Sequence, residues 1–350
     1  MLIYFLLTME NKMNLLITCK PDYEPVLIRE LTLNDCSVKA QGNSWVQCQL
    51  NISKTIIQHL SQLCFAQTIL MSPVEISAFS VNEFTLKLSE LFLSSMNKKI
   101  IKHHLPVLFF YADVRNLSHR TKSIELNWRN KIRKKMSRVE KLLQNPTPYS
   151  REAIEGFFVY FTDFNHAFVS YSAITGACQR MCMDKNAPSR SYLKVEEAYT
   201  LINCQPQANE QVVDLGAAPG GWAYSALKRK AKVIAVDNAQ LNKTISAYPG
   251  ITHLKQDALK FIPSEKLNAD WLFCDTIENP EIILQVIQKW LQYHWCRRFI
   301  VNLKIGRCDP MEIIKKINSP DAGLLGYCSQ LEIRHLYHNR QEITLAGIHI

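Results

Sequence analysis

One short stretch of the sequence restricts the possible folds more than any other. It reads VVDLGAAPGGW over residues 212–222, an apolar run that ends in an acid and is followed by a turn of small residues. Residues 222–230 can then continue as a helix, so the pattern predicts a strand, a tight glycine-bearing turn and a helix. This order is typical of an open α/β sheet, in which a nucleotide-like ligand binds outside the carboxyl end of the first strand.

The glycines of this turn indicate what kind of ligand it binds. Gly216, Gly220 and Gly221 have no Cβ, so the backbone can adopt positive φ and come close to a ligand. Their spacing differs from the G-x-G-x-x-G of dinucleotide-binding enzymes, which disfavours a nicotinamide oxidoreductase. Pro219 also lacks the backbone N–H that would donate to a pyrophosphate. We therefore expect a ligand without phosphates.

Two later apolar runs predict neighbouring strands that bring acids to the same crevice. The run at 232–236 ends before Asp237, which follows Gly216 at about the 20 residues where an acid meets ribose hydroxyls in such folds. The run at 251–256 leads to Asp257. A glycine turn can also serve only to pack a helix on a sheet, but three elements in register favour a pocket for an adenosine without phosphates. S-adenosylmethionine fits such a pocket.

Length, charge and cysteine usage indicate a chain of several domains with a polyanionic partner. The 350 residues suffice for two or three domains, and the formal net charge is +10. This charge suits RNA, although charge alone does not distinguish RNA binding from a generic basic surface. The eleven cysteines include no C-x-x-C pair, which disfavours a zinc site and predicts free thiols in a reducing cytoplasm.

The order of apolar runs and breaks predicts three domains after a short N-terminal segment. Residues 1–12 contain an apolar run too short for a membrane span, and we interpret them as a tail or a wrongly assigned start. Residues 13–65 and 66–176 then form two α+β domains, and residues 177–350 form the α/β domain that holds the glycine turn. In the first two domains we predict strands at 14–20, 38–40, 44–50, 105–114, 156–162 and 167–172, and helices at 24–31, 55–63 and 81–96.

A cationic helix is predicted near the end of the second domain. Ile132, Met136, Val139 and Leu143 recur at helical spacing, and basic residues occupy the remaining faces. Such a helix binds phosphates or simply stays solvated, and further basic residues nearby in sequence favour contact with RNA. The residues that we assign to RNA binding are Arg129, Lys131, Arg133, Lys134, Lys135 and Arg138.

Four charged residues stand at ends of predicted elements that face one crevice. Lys194 lies in a helix that Ser189 or Ser191 can cap, and Asp275 follows the strand at 269–274. The two others are Lys304, at the end of the strand at 298–304, and Glu342, at the start of a closing hairpin strand.

This set of residue types suits transfer to a sugar hydroxyl. A hydroxyl is a weak nucleophile, so the reaction needs a positioned base, and a lysine can be that base when burial or a neighbouring cation lowers its pKa. We assign the base to Lys304 and the orienting roles to Lys194, Asp275 and Glu342. A single lysine is usually a surface charge, so the hypothesis requires that the four residues meet.

The C-terminal half resembles the ribose 2′-O-methyltransferases of the FtsJ-like group, which carry a Lys-Asp-Lys-Glu tetrad. It resembles the RlmM-type enzymes more closely still, and these methylate a cytidine ribose in large-subunit (23S) rRNA. The resemblance is carried by APSRSYLKVEEA (187–198), VDLGAAPGGW (213–222), VDN (236–238), CDTIENP (274–280), WCRR (295–298), NLK (302–304) and LYHNRQEIT (336–344).

The resemblance implies a cofactor, a set of site residues and a partner. It implies S-adenosylmethionine, Lys304 as the proton acceptor, and 23S rRNA, naked or in an early pre-ribosomal particle, as the substrate of a monomer or weak homodimer. A looser likeness over MNLLITCKPDYE (13–24) and CFAQ (64–67) implies a ferredoxin-like domain followed by an RNA-binding THUMP domain. The implied cofactor contacts are Ser191, Ala218, Pro219, Gly220, Gly221, Asp237, Asp257 and Asp275.

Other readings of the glycine turn remain open. An RNA cytosine-C5 methyltransferase can share the turn, but its chemistry needs a cysteine nucleophile, usually in a Pro-Cys pair, and the sequence has none. A methyltransferase acting on the ribose of tRNA is a further alternative. A non-catalytic RNA-binding assembly factor with a vestigial cofactor fold is disfavoured by the four charged residues.

Overall fold

The computed structural model describes residues 12–51, 60–96, 103–147, 149–176, 179–265, 267–319 and 323–350. The chain divides into two compact units, Met1–Gly176 and Ala177–Ile350. The first eleven residues of the predicted tail and most of the predicted helix at 55–63 lie outside the described residues. Within the described residues, no helix is long and apolar enough to cross a membrane.

The described part of the first unit contains one nine-stranded sheet with helices packed on it. The strands are β1 (Lys12–Thr18), β2 (Cys36–Gly42), β3 (Trp45–Asn51), β4 (Thr68–Met71), β5 (Val74–Ser77), β6 (Leu105–Tyr111), β7 (Leu143–Gln144), β8 (Ile154–Phe161) and β9 (His166–Thr175), and the helices are α1 (Glu24–Leu33), α2 (Val81–Met96), α3 (Leu117–Lys135) and α4 (Ser137–Glu140). The sheet order is β2-β3-β1-β4-β9-β8-β6-β7, with β5 also paired to β9. β1 pairs with β4, so the sheet runs without a break across the domain border predicted near residue 65.

The cationic helix differs in extent from the prediction. α3 begins twelve residues before Arg129 and ends at Lys135, because Met136 leaves the helical conformation at φ −144° and ψ 63°. The predicted helical seam from Ile132 to Leu143 is therefore wrong after Ile132. Met136 lies outside α3, Val139 belongs to the separate helix α4, and Leu143 belongs to β7. The buried seam of α3 is instead made of Leu117, Thr121, Ile124, Trp128 and Ile132. Trp128 stacks on Phe157 of the sheet, so tertiary packing determines where the helix lies.

The second unit is a mixed α/β fold, which confirms the α/β class predicted for the part of the chain that holds the glycine turn. Its strands are β10 (Gln211–Leu215), β11 (Lys232–Val236), β12 (Ile251–Leu254), β13 (Ala269–Cys274), β14 (Cys296–Lys304), β15 (Cys328–Arg334) and β16 (Glu342–His349), and its helices are α5 (Tyr192–Ile202), α6 (Gly221–Lys228), α7 (Lys243–Ser246), α8 (Pro280–Gln292) and α9 (Pro310–Ile317). In the described residues the seven-stranded sheet has the order β12-β11-β10-β13-β14-β16-β15, and the first five strands are parallel. The last two, β16 and β15, form an antiparallel hairpin on β14.

The strand order has a switch point between β10 and β13. From β10 the chain proceeds to β11 and β12 on one side, and β13 and β14 then lie on the other side. In open α/β sheets a ligand binds in the crevice outside the carboxyl ends of the strands at such a point. The loops after β10 and β13 begin at Gly216 and Asp275, so this topology brings the glycine turn and the central acid of the predicted tetrad to one crevice.

Candidate functional site

The turn after β10 has the backbone that its glycines predict. Gly216 and Gly220 have φ of +75° and +108°, a region that residues with a Cβ rarely adopt. A Cβ on Gly221 would stand 2.4 Å from Oγ of Ser191 and 2.5 Å from Oγ of Ser189. Glycine is therefore required here both by the conformation of the turn and by the close approach of the two serines.

A cavity of about 170 Å³ lies at this turn. Five residues that the sequence assigned to the cofactor line it, together with Ser189, Asp214, Ala217 and Trp222, which it did not assign. Gly220 and Gly221 are not among its lining residues, and they form the start of α6 beside it. The assigned lining residues are Ser191, Gly216, Ala218, Pro219 and Asp275.

Two other predicted cofactor residues lie outside the lining of this cavity. The carboxylate of Asp237 accepts hydrogen bonds from the backbone N–H groups of Ala218 at 2.9 Å and Ala239 at 2.8 Å, so it fixes the glycine turn. Asp257 caps a short turn by accepting from the N–H of Leu259 at 3.0 Å, and its side chain is 44% exposed. Asp237 thus adjoins the cavity through the turn, whereas nothing in the contacts of Asp257 ties it to the cavity.

The two serines before α5 do not cap that helix. Ser191 stands at the N-cap position, but its φ of −59° and ψ of −27° are helical and its side chain makes no cap hydrogen bond. Its hydroxyl instead lies 2.6 Å from that of Ser189, and both hydroxyls adjoin Gly221. The predicted cap is wrong because the close packing of α5 on the start of α6 turns these hydroxyls toward the cavity.

The four charged residues at the predicted element ends meet at one point. Lys304 Nζ lies 2.5 Å from Asp275 Oδ1, and Lys194 Nζ lies 3.4 Å from Asp275 Oδ2. Glu342 completes the arrangement, with its carboxylate oxygens 2.5 Å from Lys194 Nζ and 4.0 Å from Lys304 Nζ. Each ammonium therefore faces both carboxylates, and the formal charges of the group sum to zero.

Burial and neighbouring charges act in opposite directions on Lys194 and on Asp275. Burial acts against a charge on Lys194, but the carboxylates of Asp275 and Glu342 outweigh it and raise the pKa of Lys194. Burial acts in the same way against a charge on Asp275, but Lys194 and Lys304 lower the pKa of Asp275 overall. Lys194 therefore stays protonated near neutral pH. Lys304 has the most exposed side chain of the four, 24% against 16% for Lys194.

A buried polar pair behind the group holds Asp275 in place. Asn302 donates from Nδ2 to Asp275 Oδ1 at 3.2 Å, and Thr344 donates from its hydroxyl to Asn302 Oδ1 at 2.7 Å. Both side chains are fully buried. Asn302 pairs with Thr344 across β14 and β16 in the same register that pairs Lys304 with Glu342. The sequence did not identify Asn302 or Thr344, although their spacing of two residues from Lys304 and Glu342 puts each on the same strand face.

Among the lining residues that the sequence did not assign to the cofactor, Asp214 has the most unusual environment. It is only 1% exposed, and its Oδ2 atom has no hydrogen-bond partner among the described residues. Burial raises the pKa of Asp214 to about 7, with further contributions from the charges of Asp275 and Asp237. The carboxylate accepts a backbone hydrogen bond from Ala223, which leaves Oδ2 as an unpaired acceptor at the wall of the cavity, suited to a cationic group of a ligand.

We expect the stability of the ligand-free protein to depend on pH through Asp214. The unfolded chain releases this proton near pH 4, whereas the folded protein holds it up to about pH 7. The contribution of Asp214 to the free energy of unfolding therefore falls as pH rises from 4 to 7. Asp214→Asn has no titrating carboxyl at this position and avoids this loss. The free energy of unfolding of the variant, relative to that of the wild type, should therefore rise by about 2–4 kcal/mol between pH 4 and pH 7. Urea unfolding at pH 5 and pH 8 tests this, and parallel pH dependence in both proteins would contradict it.

The six residues assigned to RNA lie on or just after α3 in the first unit, and they fall into two groups. Arg129 pairs with Glu125 at 2.9 Å, and Arg133 pairs with Glu140 at 3.4 Å. The other four make no ion pair within the described residues, and of these only Lys131 is partly buried. The unpaired residues are Lys131, Lys134, Lys135 and Arg138.

Curated relatives are similar to between about half and three-fifths of this chain. A ribosomal RNA large subunit methyltransferase M from Halorhodospira halophila (strain DSM 244 / SL1) is 37% identical over 193 residues, 53% of this chain and 55% of that protein. A protein of the same name from Proteus mirabilis (strain HI4320) is 34% identical over 231 residues, 62% of this chain and 61% of that protein. The chain therefore spans between about half and three-fifths of the length of these curated relatives.

A solved structure and a protein family are also similar to this chain. The crystal structure of TrmN from Thermus thermophilus aligns over 96% of this chain and 99% of that chain, but with 12% identity and a TM-score of 0.35 it is too distant to carry an argument. The family model of the FtsJ-like methyltransferases matches residues 187–311. This range includes the glycine turn and three of the four charged residues. The C-terminal unit of this chain therefore contains an FtsJ-like methyltransferase domain.

Proposed function

We propose that this chain transfers a methyl group from S-adenosylmethionine to the ribose 2′-oxygen of a cytidine in large-subunit (23S) rRNA. One observation carries the proposal: two lysines and two carboxylates meet beside the cavity at the glycine turn. The names of the curated relatives, which refer to the large subunit of ribosomal RNA, support the choice of substrate. The reaction would take place in the cytoplasm, on RNA that is naked or in an early pre-ribosomal particle, with the protein as a monomer or weak homodimer.

The residues present at the cavity fit S-adenosylmethionine. The unpaired buried oxygen of Asp214 suits an ammonium group, and the glycine turn lets the backbone approach a ligand closely. When bound, the cofactor supplies an electrophilic methyl group on a sulfonium. The residues that we propose to hold it are Asp214, Ser191, Gly216, Ala218, Pro219, Gly220, Gly221, Asp237 and Asp275. Asp257 is added on the family resemblance alone, since its contacts do not tie it to the cavity.

The charged group beside the cavity supplies the base and its orientation. The Nζ lone pair of Lys304 would accept the proton of the ribose 2′-hydroxyl as that oxygen bonds to the methyl carbon, while the bond from that carbon to sulfur would break and leave a neutral thioether. Asp275 holds Lys304 at 2.5 Å and is itself fixed by Asn302 at 3.2 Å. Lys194 remains protonated, since its pKa is raised, and it offsets the charge of the two carboxylates. Glu342 positions Lys194 from the opposite side at 2.5 Å.

We also propose roles for the rest of the chain. Residues 13–65 would form the ferredoxin-like domain and residues 66–176 the THUMP-like RNA-binding domain, which supply affinity for the substrate rather than chemistry. The basic residues of α3 and the short segment after it support this, because unpaired lysines and arginines bind phosphates in a salt-dependent way. Residues 177–350 would supply the cofactor site and the base.

The test of the reaction uses tritiated S-adenosylmethionine and rRNA from cells that lack this protein, followed by digestion to nucleosides. We expect label in 2′-O-methylcytidine. Label on a base ring or in another nucleoside would keep a methyltransferase but overturn the proposed target. If no label appears although the cofactor binds, the test is repeated with pre-ribosomal particles. Failure of both transfer and cofactor binding would favour a non-catalytic RNA-binding assembly factor.

A further inference from the structure

Two phenylalanine rings stand exposed on ordered turns of the first unit. Phe79 is 80% exposed and Phe164 is 38% exposed. The backbone N–H of Phe79 donates to Glu83 of α2 at 3.0 Å, which fixes the turn before that helix. The turn of Phe164 is fixed by the carboxylate of Asp163, which accepts two backbone N–H groups at 2.7 Å and 3.0 Å. Exposed rings on a fixed backbone form a surface that a planar ligand contacts at little entropic cost.

One arginine joins the two turns. The guanidinium of Arg120 lies over the ring of Phe164 at 5.7 Å, and its Nη2 atom donates to the carbonyl of Phe79 at 3.1 Å. Arg120 lies in the first turn of α3. Aromatic rings beside an arginine are the means by which proteins stack unpaired nucleobases without regard to sequence.

Positively charged side chains continue this surface along α3. A helix turns about 100° per residue, so Lys131 and Lys134 return to within about 40° of the direction of Arg120. We call these three residues the Arg120 row, which covers about 21 Å of the helix axis at about 1.5 Å per residue. Lys131 and Lys134 make no ion pair within the described residues. Arg129 and Arg133 lie about 180–220° from Arg120, and each of them is paired with a glutamate.

The charge of α3 indicates the class of partner. Its 19 residues, LSHRTKSIELNWRNKIRKK, include seven lysines and arginines but one glutamate. A single strand of nucleic acid offers both features that this surface matches, since its bases are free to stack and its phosphates carry negative charge. A base-paired duplex offers the phosphates alone, because its bases are stacked inside.

We propose that Phe79, Phe164 and Arg120 form a binding site for unpaired bases of single-stranded RNA, whose phosphates then follow the Arg120 row along α3. The proposal rests on the proposed function only in taking RNA as the substrate. It adds a contact that depends on stacking, and it divides the basic residues of α3 into those that follow the strand and those that do not.

Fluorescence anisotropy of a labelled single-stranded RNA of about 12 nucleotides tests the stacking. The full chain is used without S-adenosylmethionine. We expect the dissociation constant to rise about tenfold for each ring removed in Phe79→Ala and Phe164→Ala, with no change in the slope of log affinity against log salt, because no charge is lost. Phe79→Tyr and Phe164→Tyr should restore binding. The proposal is overturned if the double alanine variant binds within about twofold of the wild type.

Substitution of two exposed lysines of α3 tests the path of the RNA strand along this helix. Lys134 belongs to the Arg120 row, so Lys134→Gln should reduce the magnitude of the slope of log affinity against log salt by about 0.7. Lys122→Gln, about 160° away from Arg120 around the helix, is the matched control and should leave the slope unchanged. Equal losses in the two variants would indicate diffuse electrostatic attraction and would contradict the proposed path.

A duplex of the same sequence separates stacking from shape. We expect Phe79→Ala and Phe164→Ala to weaken binding of the single strand but not of the duplex, and an equal loss for both would overturn the stacking site. No methyl transfer enters these measurements, so their failure leaves the proposed reaction untouched. Loss of transfer in a variant of the charged group likewise leaves this site untouched.

Discussion

A Lys304→Ala variant should bind S-adenosylmethionine almost as well as the wild type and yet transfer the methyl group about 10³-fold more slowly. Lys304 is not among the residues that line the cavity, so its loss leaves the proposed cofactor contacts intact. It removes the base that Asp275 holds at 2.5 Å and that is the most exposed member of the charged group. Calorimetric titration of the cofactor and single-turnover transfer to rRNA measure the two quantities separately.

Arginine substitutions decide whether Lys304 acts as a base or only as a charge. Arginine keeps the charge but does not lose its proton in proteins, so Lys304→Arg should be nearly as inactive as Lys304→Ala. Lys194→Arg is the matched control, because Lys194 is already held protonated between Asp275 and Glu342 and should tolerate a permanent cation better. A Lys304→Arg enzyme that retained most of its rate would remove Lys304 from the role of base.

The convergence of the charged group could be predicted from the sequence because it follows from sheet geometry. Asp275 and Lys304 each end an apolar run, and the carboxyl ends of parallel strands meet at one edge of a sheet. Asp214 is visible in the sequence as the acid that follows an apolar run, but its place in the cavity could not be predicted. It lies inside its strand, one residue before the end, where alternation gives no sign that a carboxylate lines a cavity.

Features that depend on tertiary packing could not be predicted from the sequence. The helical spacing of Ile132 and Met136 continues to Leu143, yet the helix ends at Lys135 and Leu143 belongs to a strand. Packing of Trp128 against Phe157, which lies 29 residues along the chain, has no local signature. The pairing of Asn302 with Thr344 likewise requires the register of two strands that are far apart in sequence.

We expect Asp275→Asn to lower transfer by about 10²–10³-fold and to weaken cofactor binding as well. Asp275 lines the cavity and contacts both lysines, at 2.5 Å and 3.4 Å, so one substitution affects the cofactor site and the base together. Its pKa is lowered by those lysines, so the carboxylate is ionised at any pH near neutrality and the substitution removes a full charge. The combined loss of binding and rate distinguishes this variant from Lys304→Ala, which affects the rate alone.

Glu342→Gln is the matched control for this carboxylate. Glu342 approaches Lys194 at 2.5 Å but Lys304 only at 4.0 Å, and it does not line the cavity. Its substitution should therefore leave cofactor affinity near that of the wild type and reduce the rate less than Asp275→Asn does. If instead the two variants lost rate equally and both kept the cofactor, the carboxylates would act only as interchangeable charges. The position of Asp275 between the cavity and Lys304, which Asn302 and Thr344 maintain from behind, would then have no part in the reaction.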